Sequence, residues 1–290
     1  MRYKVRHVSK IAYAAPVARA RLNLRLSPRL QSDQTLIEET LTLLPAPASK
    51  AEQLGPYWVK TVQVGFAAPL KSLEVTSEFV IDIAVAKPPK TGPNIARVRT
   101  QALGVADLSD LSPAPYLFAS RIATMNAAIT AWGAPYLSSE ACVIDAASAL
   151  MKALHEEFSY APGKTSSHTA PEEAFAARHG VCQDFTHIMI MALRAHGIPA
   201  AYVSGYLLTR PPPGKAKLVG ADAMHAWVNV WCGEELGWVG FDPTNNRLVG
   251  EAHIGIGMGR DYADISPIDG TFIGSSPQSM SSAVDVELVA

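Results

Sequence analysis

The residues Gly180–Gly197 read GVCQDFTHIMIMALRAHG, and they decide where the chain places its buried helix. A glycine precedes the run, nearly every residue from Phe185 to Leu193 is apolar, and a second glycine ends it. A helix that is apolar on all sides is a buried one. Cys182 falls in its first turn, where unpaired N–H groups and the positive end of the helix dipole stabilise a thiolate, the nucleophilic form of cysteine. The alternative is a small buried cysteine that packs as a hydrophobe.

Two short strands are predicted downstream, and together they form a hairpin. The segments 224–232 (MHAWVNVWC) and 237–242 (GWVGFD) alternate in the manner of strands, and only the polar residues 233–236 separate them. A two-residue turn places His225 directly opposite Asp242, whereas a four-residue loop leaves the two side chains on one face at diagonal reach. Either register brings an imidazole next to a carboxylate, as a general base and its orienting group require.

Three blocks, GVCQDF, MHAWVNVW and GWVGFDPTNN, resemble the catalytic blocks of the bacterial transglutaminase-like proteins, which belong to the papain-like cysteine-enzyme superfamily. They occur in the same order as in that family, at a helix start, on a strand and on a second strand. The resemblance implies that Cys182 is the nucleophile, His225 the base and Asp242 the group that orients the base. It is clear from about residue 150 to 270 and looser over the first hundred residues, which look like the family's N-terminal β region.

Other positions near these blocks are less informative. Tyr160 lies ahead of the cysteine block, where the resembling family suggests an oxyanion or pocket residue, although packing is the simpler role for this tyrosine. The segment Gly259–Asp264 also looks like a family block, but its residues indicate no role. Asp184 and Gln183 are expected either to line the pocket or to cap and cover the helix start.

Composition and net charge narrow the classes of protein to which this chain can belong. Its 290 residues, 48% of them hydrophobic, can bury a large core in one large or two modest domains. A net charge of −1 indicates neither nucleic acid nor an anionic membrane as a partner, and no uninterrupted apolar stretch has membrane-spanning length. The basic opening MRYKVRHV alternates like a strand, so we do not interpret it as a signal peptide. Three widely spaced cysteines form no disulfide framework, which predicts a reducing cytoplasm.

Residues 1–86 are predicted to form an N-terminal antiparallel β domain. Apolar and polar residues alternate through 22–26 and 73–83, and the segments 34–44 and 58–66 are further candidate strands. One solvent-exposed face and one buried face are typical of antiparallel sheets, so we expect a small β-sandwich or barrel-like domain. No motif in it carries chemistry. Support for the cleft is therefore its expected role, with a separate binding module as the alternative.

A linker and an α+β domain are predicted to follow. Prolines and glycines gather in KPPKTGP at the start of 87–115, which indicates the linker. Residues 116–290 are predicted as the catalytic domain, in which helices at 118–129 and 138–158 come before the strands. Cys142 is expected inside the apolar side of the second helix. The fold class is thus α+β: an N-terminal antiparallel β domain, then a transglutaminase-like (papain-like) domain with its nucleophile at a helix N-terminus packed on an antiparallel sheet.

The strands of this second domain surround the hairpin. A strand is predicted at 200–208, a surface loop at 209–220, and a last strand at 281–289 that can add to either sheet. Cys232 lies on the strand face opposite His225 and is expected to be structural.

No metal or other cofactor is expected. His187 lies five positions after Cys182, roughly 140° round the helix, so the two side chains do not share a face. No pair of histidines or cysteines has the His-x-x-x-His or Cys-x-x-Cys spacing of zinc sites. Calcium loops of the Asp-x-Asp-x-Asp-Gly kind are also absent from the sequence.

The triad predicts cysteine-dependent acyl transfer on the peptide or amide bonds of a protein or peptide substrate, through a thioester. Water as second nucleophile gives a peptidase or amidase, and a lysine amine gives a transglutaminase. We favour hydrolysis, because transfer to an amine requires a site that excludes water, and no such site is indicated. A catalytically silent peptide-binding module and a scaffold protein led by the N-terminal β domain are the alternatives from other classes.

Overall fold

A computed structural model of the chain describes residues 1–28, 33–84, 87–209, 222–275 and 277–289. The loop predicted at 209–220 therefore falls, after its first residue, outside the described residues. The strands in this part of the chain are β1 (Arg2–Val17), β2 (Arg19–Leu24), β3 (Gln34–Leu44), β4 (Ser49–Leu54), β5 (Trp58–Phe66), β6 (Leu70–Ile83), β7 (Ser159–Tyr160), β8 (His179–Gly180), β9 (Ala200–Leu207), β10 (Met224–Trp231), β11 (Trp238–Asp242), β12 (Arg247–Leu248), β13 (His253–Gly259), β14 (Ile268–Ile273) and β15 (Gln278–Leu288). The helices are α1 (Ile95–Gly104), α2 (Ala127–Gly133), α3 (Val143–Glu157), α4 (Pro171–Ala177), α5 (Cys182–Ala195) and α6 (Tyr262–Ile265).

Two antiparallel sheets pack against each other and form the framework of the fold. The first has the strand order β15-β1-β6-β3, and the second runs β12-β11-β10-β9-β13-β5-β2-β14, with β4 paired to β5. Side chains alternate across each strand, so Val5 and Phe79 of the first sheet bury against Tyr206 and Ile254 of the second. The expected N-terminal antiparallel β region is present, and its second sheet continues into the strands that carry the predicted histidine and aspartate.

The last described strand, β15, completes the first sheet. It pairs antiparallel with β1, with Val286 opposite Val5 and Ser282 opposite Ser9. The sequence pattern left open which sheet this strand joins, and the pairing with β1 answers that question. Because β14 likewise pairs with β2, two strands from the predicted second domain are hydrogen-bonded to strands of the first.

Helix α5 is buried on all sides, as its apolar sequence predicts. Every residue from Asp184 to Arg194 is buried. Ile188 and Ile190 share a hydrophobic core with Leu150 of α3 and Val228 of β10, so the helix packs between its neighbours and the second sheet. The observed class is the expected one, α+β, with Cys182 as the first residue of a helix packed on an antiparallel sheet. None of the helices in the described ranges combines the length and apolar character needed to cross a lipid bilayer.

The structure places a helix inside the segment 87–115 that was predicted as a linker. Helix α1 buries Ile95, Val98 and Ala102 on one face, which is helical spacing. The side chain of Asn94 accepts a hydrogen bond from the Arg97 N–H at 2.9 Å and caps the first turn. The prolines and glycines before this cap dominate the composition of the segment and conceal the short helical repeat that follows them.

The starts of two predicted helices lie further along the chain than the sequence pattern indicates. The helix expected over 118–129 begins only at Ala127, because the side chain of Asn126 accepts hydrogen bonds from the N–H groups of the first turn and fixes the start there. Helix α3 begins at Val143, so Cys142 is its N-cap residue and does not lie inside the helix. A capping side chain therefore sets the start of α2, whereas the Cys142 side chain forms no capping hydrogen bond at the start of α3.

Candidate active site

The start of α5 is held in place by a buried carboxylate. Asp184 accepts a hydrogen bond from the Val181 N–H at 2.8 Å and another from the Thr165 hydroxyl at 2.7 Å. Gly180 allows this arrangement, because a Cβ at that position would lie 2.7 Å from the Cβ of Asp184. Of the two roles considered for Asp184, the structure therefore shows capping. Cys182, the first residue of the capped turn, is half-buried.

The hairpin brings His225 and Asp242 together in the four-residue register. Trp231 pairs with Trp238, so residues 233–236 form the loop and His225 reaches Asp242 diagonally across one face of the sheet. His225 Nε2 lies 2.9 Å from Asp242 Oδ2. The local sequence thus predicts the proximity of the two side chains, and the two-residue turn is the register that the structure rejects.

Asp242 accepts hydrogen bonds from several directions and is fully buried. Its Oδ2 atom also lies 3.1 Å from His253 Nε2 and 2.7 Å from the amide nitrogen of Asn245, and the backbone N–H groups of Thr244 and Asn245 donate to Oδ1. Burial alone would raise the pKa of this carboxyl. The hydrogen bonds from His225 and His253 outweigh burial, so the pKa of Asp242 lies well below its usual range.

His253 is a residue of this site that the sequence does not reveal. The N–H of Gly250 donates to His253 Nδ1 at 3.3 Å, so Nδ1 carries no proton and the Nε2–H faces Asp242. Burial lowers the pKa of this ring and keeps it neutral. His253 belongs to β13, which pairs with β9 and not with the hairpin, so no local spacing connects it to Asp242.

Cys182 and His225 line one cavity of about 300 Å³. Because Nε2 of His225 is bonded to Asp242, Nδ1 is the ring nitrogen available to the sulfur. Burial would lower the pKa of His225. The hydrogen bonds with Asp242 and Cys182, and the negative charge of both groups, outweigh burial and raise the pKa to about 9. The imidazolium form of His225 is therefore favoured at neutral pH.

Two tyrosines lie near the sulfur, and they differ in exposure. Tyr160, the residue suggested from sequence, is 56% exposed and stands edge-on to Phe185. Tyr202 on β9 is 2% exposed and lines the cavity beside Cys182. Burial, and then the negative charge of an ionised Cys182, raise the pKa of Tyr202 well above its ordinary value, so its phenol stays protonated. Sequence reasoning missed Tyr202, because strand alternation alone does not say what its face contacts.

Two family models match the sequence. The model of the transglutaminase-like superfamily matches residues 130–243, and that of the bacterial transglutaminase-like N-terminal region matches residues 3–82. The uncharacterised protein Rv2569c of Mycobacterium tuberculosis is 33% identical over 282 residues, which cover 96% of this chain and 90% of that protein. This chain belongs to the transglutaminase-like superfamily. A second mycobacterial relative, ML0607 of Mycobacterium leprae, is 31% identical over 293 residues, covering 100% of this chain and 99% of that protein.

Two further similarities concern a shorter segment and the fold. A segment of this transglutaminase-like chain is 38% identical over 101 residues to a protein-glutamine gamma-glutamyltransferase of Pseudomonas aeruginosa, which covers 34% of this chain and 15% of that protein. The crystal structure of a candidate cysteine protease from Cytophaga hutchinsonii has the same fold, with a TM-score of 0.76 and 20% identity. It covers 100% of this chain and 92% of that one.

The segment Gly259–Asp264 positions a wall of the cavity in this transglutaminase-like protein. Asp261 caps α6 and also accepts a hydrogen bond from the backbone of Ile122 at 2.7 Å. The N–H of Tyr262 donates to His187 Nε2 of α5 at 3.2 Å, and Tyr262 lines the cavity. The segment therefore ties a pocket residue to the helix that carries Cys182, a role that its sequence does not indicate.

Three side chains that could ligate a metal, His225, Asp242 and His253, have their ligand atoms within 4.8 Å of one another. Both Nε2 atoms are at hydrogen-bond distance from the same oxygen of Asp242, 2.9 and 3.1 Å away. Because His253 carries its proton on Nε2, that nitrogen donates to the carboxylate and has no lone pair for a metal. The cluster fits an orienting network better than an ion site.

The other two cysteines lie in different surroundings. Cys232 is fully buried, and its thiol lies 3.4 Å from the carbonyl oxygen of Val230. Burial raises the pKa of Cys232 to about 12, so this cysteine is an unreactive thiol at neutral pH. Cys142 is half-buried at the start of α3 and contacts the core around α5.

Proposed function

We propose that this protein is a cysteine-dependent acyl-transfer enzyme that acts on peptide or amide bonds through Cys182, His225 and Asp242. Membership of the transglutaminase-like superfamily supports a cysteine enzyme in general. The observation that carries the specific proposal is the shared cavity: a sulfur at a helix N-terminus and an imidazole bonded to a buried carboxylate line the same space. This combination is what nucleophilic catalysis by cysteine requires.

The proposed first half-reaction forms a thioester. The Cys182 thiolate attacks the carbonyl carbon, a C–S bond forms, and the carbonyl electrons move onto the oxygen. The N–H of Cys182 at the helix start and the Tyr202 hydroxyl donate to this oxyanion. The His225 imidazolium then gives its Nδ1 proton to the leaving nitrogen, the C–N bond breaks, and an amine departs.

Tyr202 is a better candidate for the second oxyanion donor than Tyr160. Its hydroxyl belongs to a buried side chain that lines the cavity, whereas Tyr160 is largely exposed. No hydrogen bond within the described residues engages the Tyr202 hydroxyl, so it is available to a substrate oxygen. The ring of His187 lies 4.9 Å from the Tyr202 ring, centroid to centroid, and limits its movement.

In the second half-reaction, His225 accepts a proton at Nδ1 from the incoming nucleophile, which attacks the thioester and releases Cys182. Asp242 keeps the proton of neutral His225 on Nε2, so that Nδ1 is the free base. His253 and Asn245 hold the carboxylate in this orientation by donating to the same oxygen. The network thus fixes both the tautomer and the direction of the ring.

We favour water as the second nucleophile. Met280 and Ser282 at the edge of the cavity are exposed, so solvent reaches the space in which the thioester forms. Transamidation is the second candidate, because a segment of the chain is similar to a protein-glutamine gamma-glutamyltransferase. Incubation with casein and a fluorescent amine distinguishes the two outcomes: labelled casein indicates transfer, and new N-termini without label indicate proteolysis.

Selective alkylation tests the nucleophile directly. The protein is treated with iodoacetamide at pH 6, and the modified peptides are mapped. We expect fast labelling of Cys182 that is lost in His225→Ala, with Cys142 and Cys232 as slow internal controls. Equal and slow labelling of all three cysteines would instead support a catalytically silent module.

A further inference from the structure

The cavity has a second wall, which the proposed chemistry does not use. It is formed by β1 and β15 of the first sheet, and its polar members are His7, Ser9 and Ser282. Their hydrogen bonds form a chain that starts at Tyr206, whose hydroxyl lies 2.8 Å from His7 Nδ1. The other ring nitrogen, His7 Nε2, lies 2.8 Å from Ser9 Oγ. Ser9 Oγ in turn lies 2.9 Å from Ser282 Oγ. Ser282, at the open end, is exposed, whereas the other three are buried.

The direction of these hydrogen bonds follows from the buried end of the chain, where Tyr206 and His7 lie. Burial lowers the pKa of His7 to about 4, so its ring is neutral, with one donor and one acceptor nitrogen. The Tyr206 hydroxyl is fully buried and has no other hydrogen-bond partner in the described residues, so its proton is satisfied only by donation to His7 Nδ1. His7 Nε2–H then donates to Ser9 Oγ. Either hydroxyl of the Ser9–Ser282 pair can be the donor, and we assign the donation to Ser9, because its buried proton has no other acceptor among the described residues, whereas the exposed Ser282 can direct its proton into the cavity.

Ser282 is therefore left with a free O–H donor and one remaining lone pair at the cavity. A carboxamide matches this pair of groups, because its C=O accepts one hydrogen bond while its NH₂ donates another. A carboxylate offers acceptors only, and no lysine or arginine is among the described residues that line the cavity.

We propose that Ser282 is a specificity-determining residue that binds the carboxamide of an asparagine or glutamine side chain flanking the scissile bond of the substrate. This proposal rests on the proposed acyl-transfer function. It assigns to the first sheet the recognition of an uncharged amide side chain, while α5 and the hairpin act on the neighbouring backbone carbonyl. The group recognised is distinct from the bond that is broken.

Binding without turnover tests the proposal. Cys182→Ser protein is titrated against fluorescein-labelled peptides that differ only in one residue, glutamine, glutamate or norleucine, and binding is followed by anisotropy. We expect the glutamine peptide to bind at least about fivefold more tightly than the norleucine peptide, the factor that one of the two hydrogen bonds to Ser282 predicts by itself. Its advantage over the glutamate peptide should be larger. Adding Ser282→Ala should reduce the preference for glutamine over norleucine to less than about twofold.

The adjacent Ser281 supplies the matched control. It is also exposed, but strand alternation turns its side chain to the other face, so Ser281→Ala should keep the preference. Equal binding of the three peptides, binding of none, or an unchanged preference in Ser282→Ala would each overturn the proposal. Preferential binding of glutamine by a protein that cleaves no peptide and shows no selective labelling of Cys182 would refute the proposed function and, with it, the link to a scissile bond, and would leave only the binding of a carboxamide by Ser282.

Discussion

Two histidines that line one cavity, His7 and His225, have pKa values shifted in opposite directions. Among the described residues, His7 forms hydrogen bonds with hydroxyl groups alone, and burial lowers its pKa to about 4. His225 is half-buried, but it bonds to the ionised Asp242 and lies beside Cys182, and its pKa is raised to about 9. Burial acts on both rings in the same direction, so the charged partner makes the difference. One ring is thereby suited to neutral hydrogen bonding and the other to proton transfer.

Removing the charge of Asp242 should abolish the difference in pKa between His225 and His7. We expect Asp242→Asn to reduce the cleavage of a peptide coumarin amide about 10³- to 10⁴-fold, because His225 loses both its orientation and the charge that favours the imidazolium. The measurement is kcat/KM, with Asp82→Asn as a control, since Asp82 pairs with the exposed Arg2 on the first sheet and is not among the residues that line the cavity. Near-normal activity in Asp242→Asn would remove the carboxylate from the mechanism.

Removing the proposed oxyanion donor, the Tyr202 hydroxyl, should have the next largest effect on activity. Tyr202→Phe should slow amide cleavage by about 10²-fold, because one donor to the developing oxyanion is lost. Alkylation of Cys182 by iodoacetamide should not change, since that displacement forms no oxyanion. Tyr160→Phe serves as the matched control, and we expect it to retain most of the activity. A reversed ranking of the two variants would return the role to Tyr160.

The raised pKa of His225 predicts the pH at which both activity and stability decline. Amide cleavage needs the imidazolium as proton donor, so we expect kcat/KM to fall by half near pH 9 and about tenfold per further pH unit. The same shift affects stability: the contribution of His225 is fully present below about pH 6.5 and is lost as pH rises from there to about 9. A decline centred near pH 6.5 would show that Asp242 does not raise this pKa.

The lowered pKa of His7 predicts the smallest effect, a loss of folding stability at acidic pH. The unfolded state binds a proton below about pH 6.5 and the folded state only below about pH 4, so stability falls as pH decreases between these values. At pH 5 this one group lowers the free energy of unfolding by about 2 kcal/mol relative to neutral pH.

Urea denaturation at pH 7.5 and pH 5 measures this effect. The variant His7→Gln, which does not titrate, should lose less stability between the two pH values than the wild type. His155→Gln is the control, because His155 is an exposed histidine. An equal loss of stability in wild type and His7→Gln would mean that His7 does not titrate differently in the folded state.

The sequence predicts the parts of the site that depend on local pattern. The apolar run after Cys182 predicts a buried helix, and the alternation around His225 and Asp242 predicts a hairpin that joins them across a short loop. These predictions hold because each depends on residues within about twenty positions of one another.

The parts that the sequence does not reveal depend on distant pairings. His7 bonds to Tyr206 and Ser9 to Ser282, at separations of 199 and 273 residues. His253 reaches Asp242 only because β13 joins the sheet beside β9. The start of α2 was misplaced because an asparagine cap, and not apolar spacing, sets it, and α1, which also begins at an asparagine cap, was taken as part of a linker. Single-sequence patterns contain no information on which distant strands become neighbours.

The position of β15 along the chain has a consequence for biosynthesis. Cys182, His225 and Asp242 all precede this strand, so a ribosome makes the three groups before it makes Ser282. During translation, a nascent chain would carry these three residues while its first sheet still lacked the edge strand β15. The selection among peptides that we propose for Ser282 would then begin only after β15 had emerged and paired with β1.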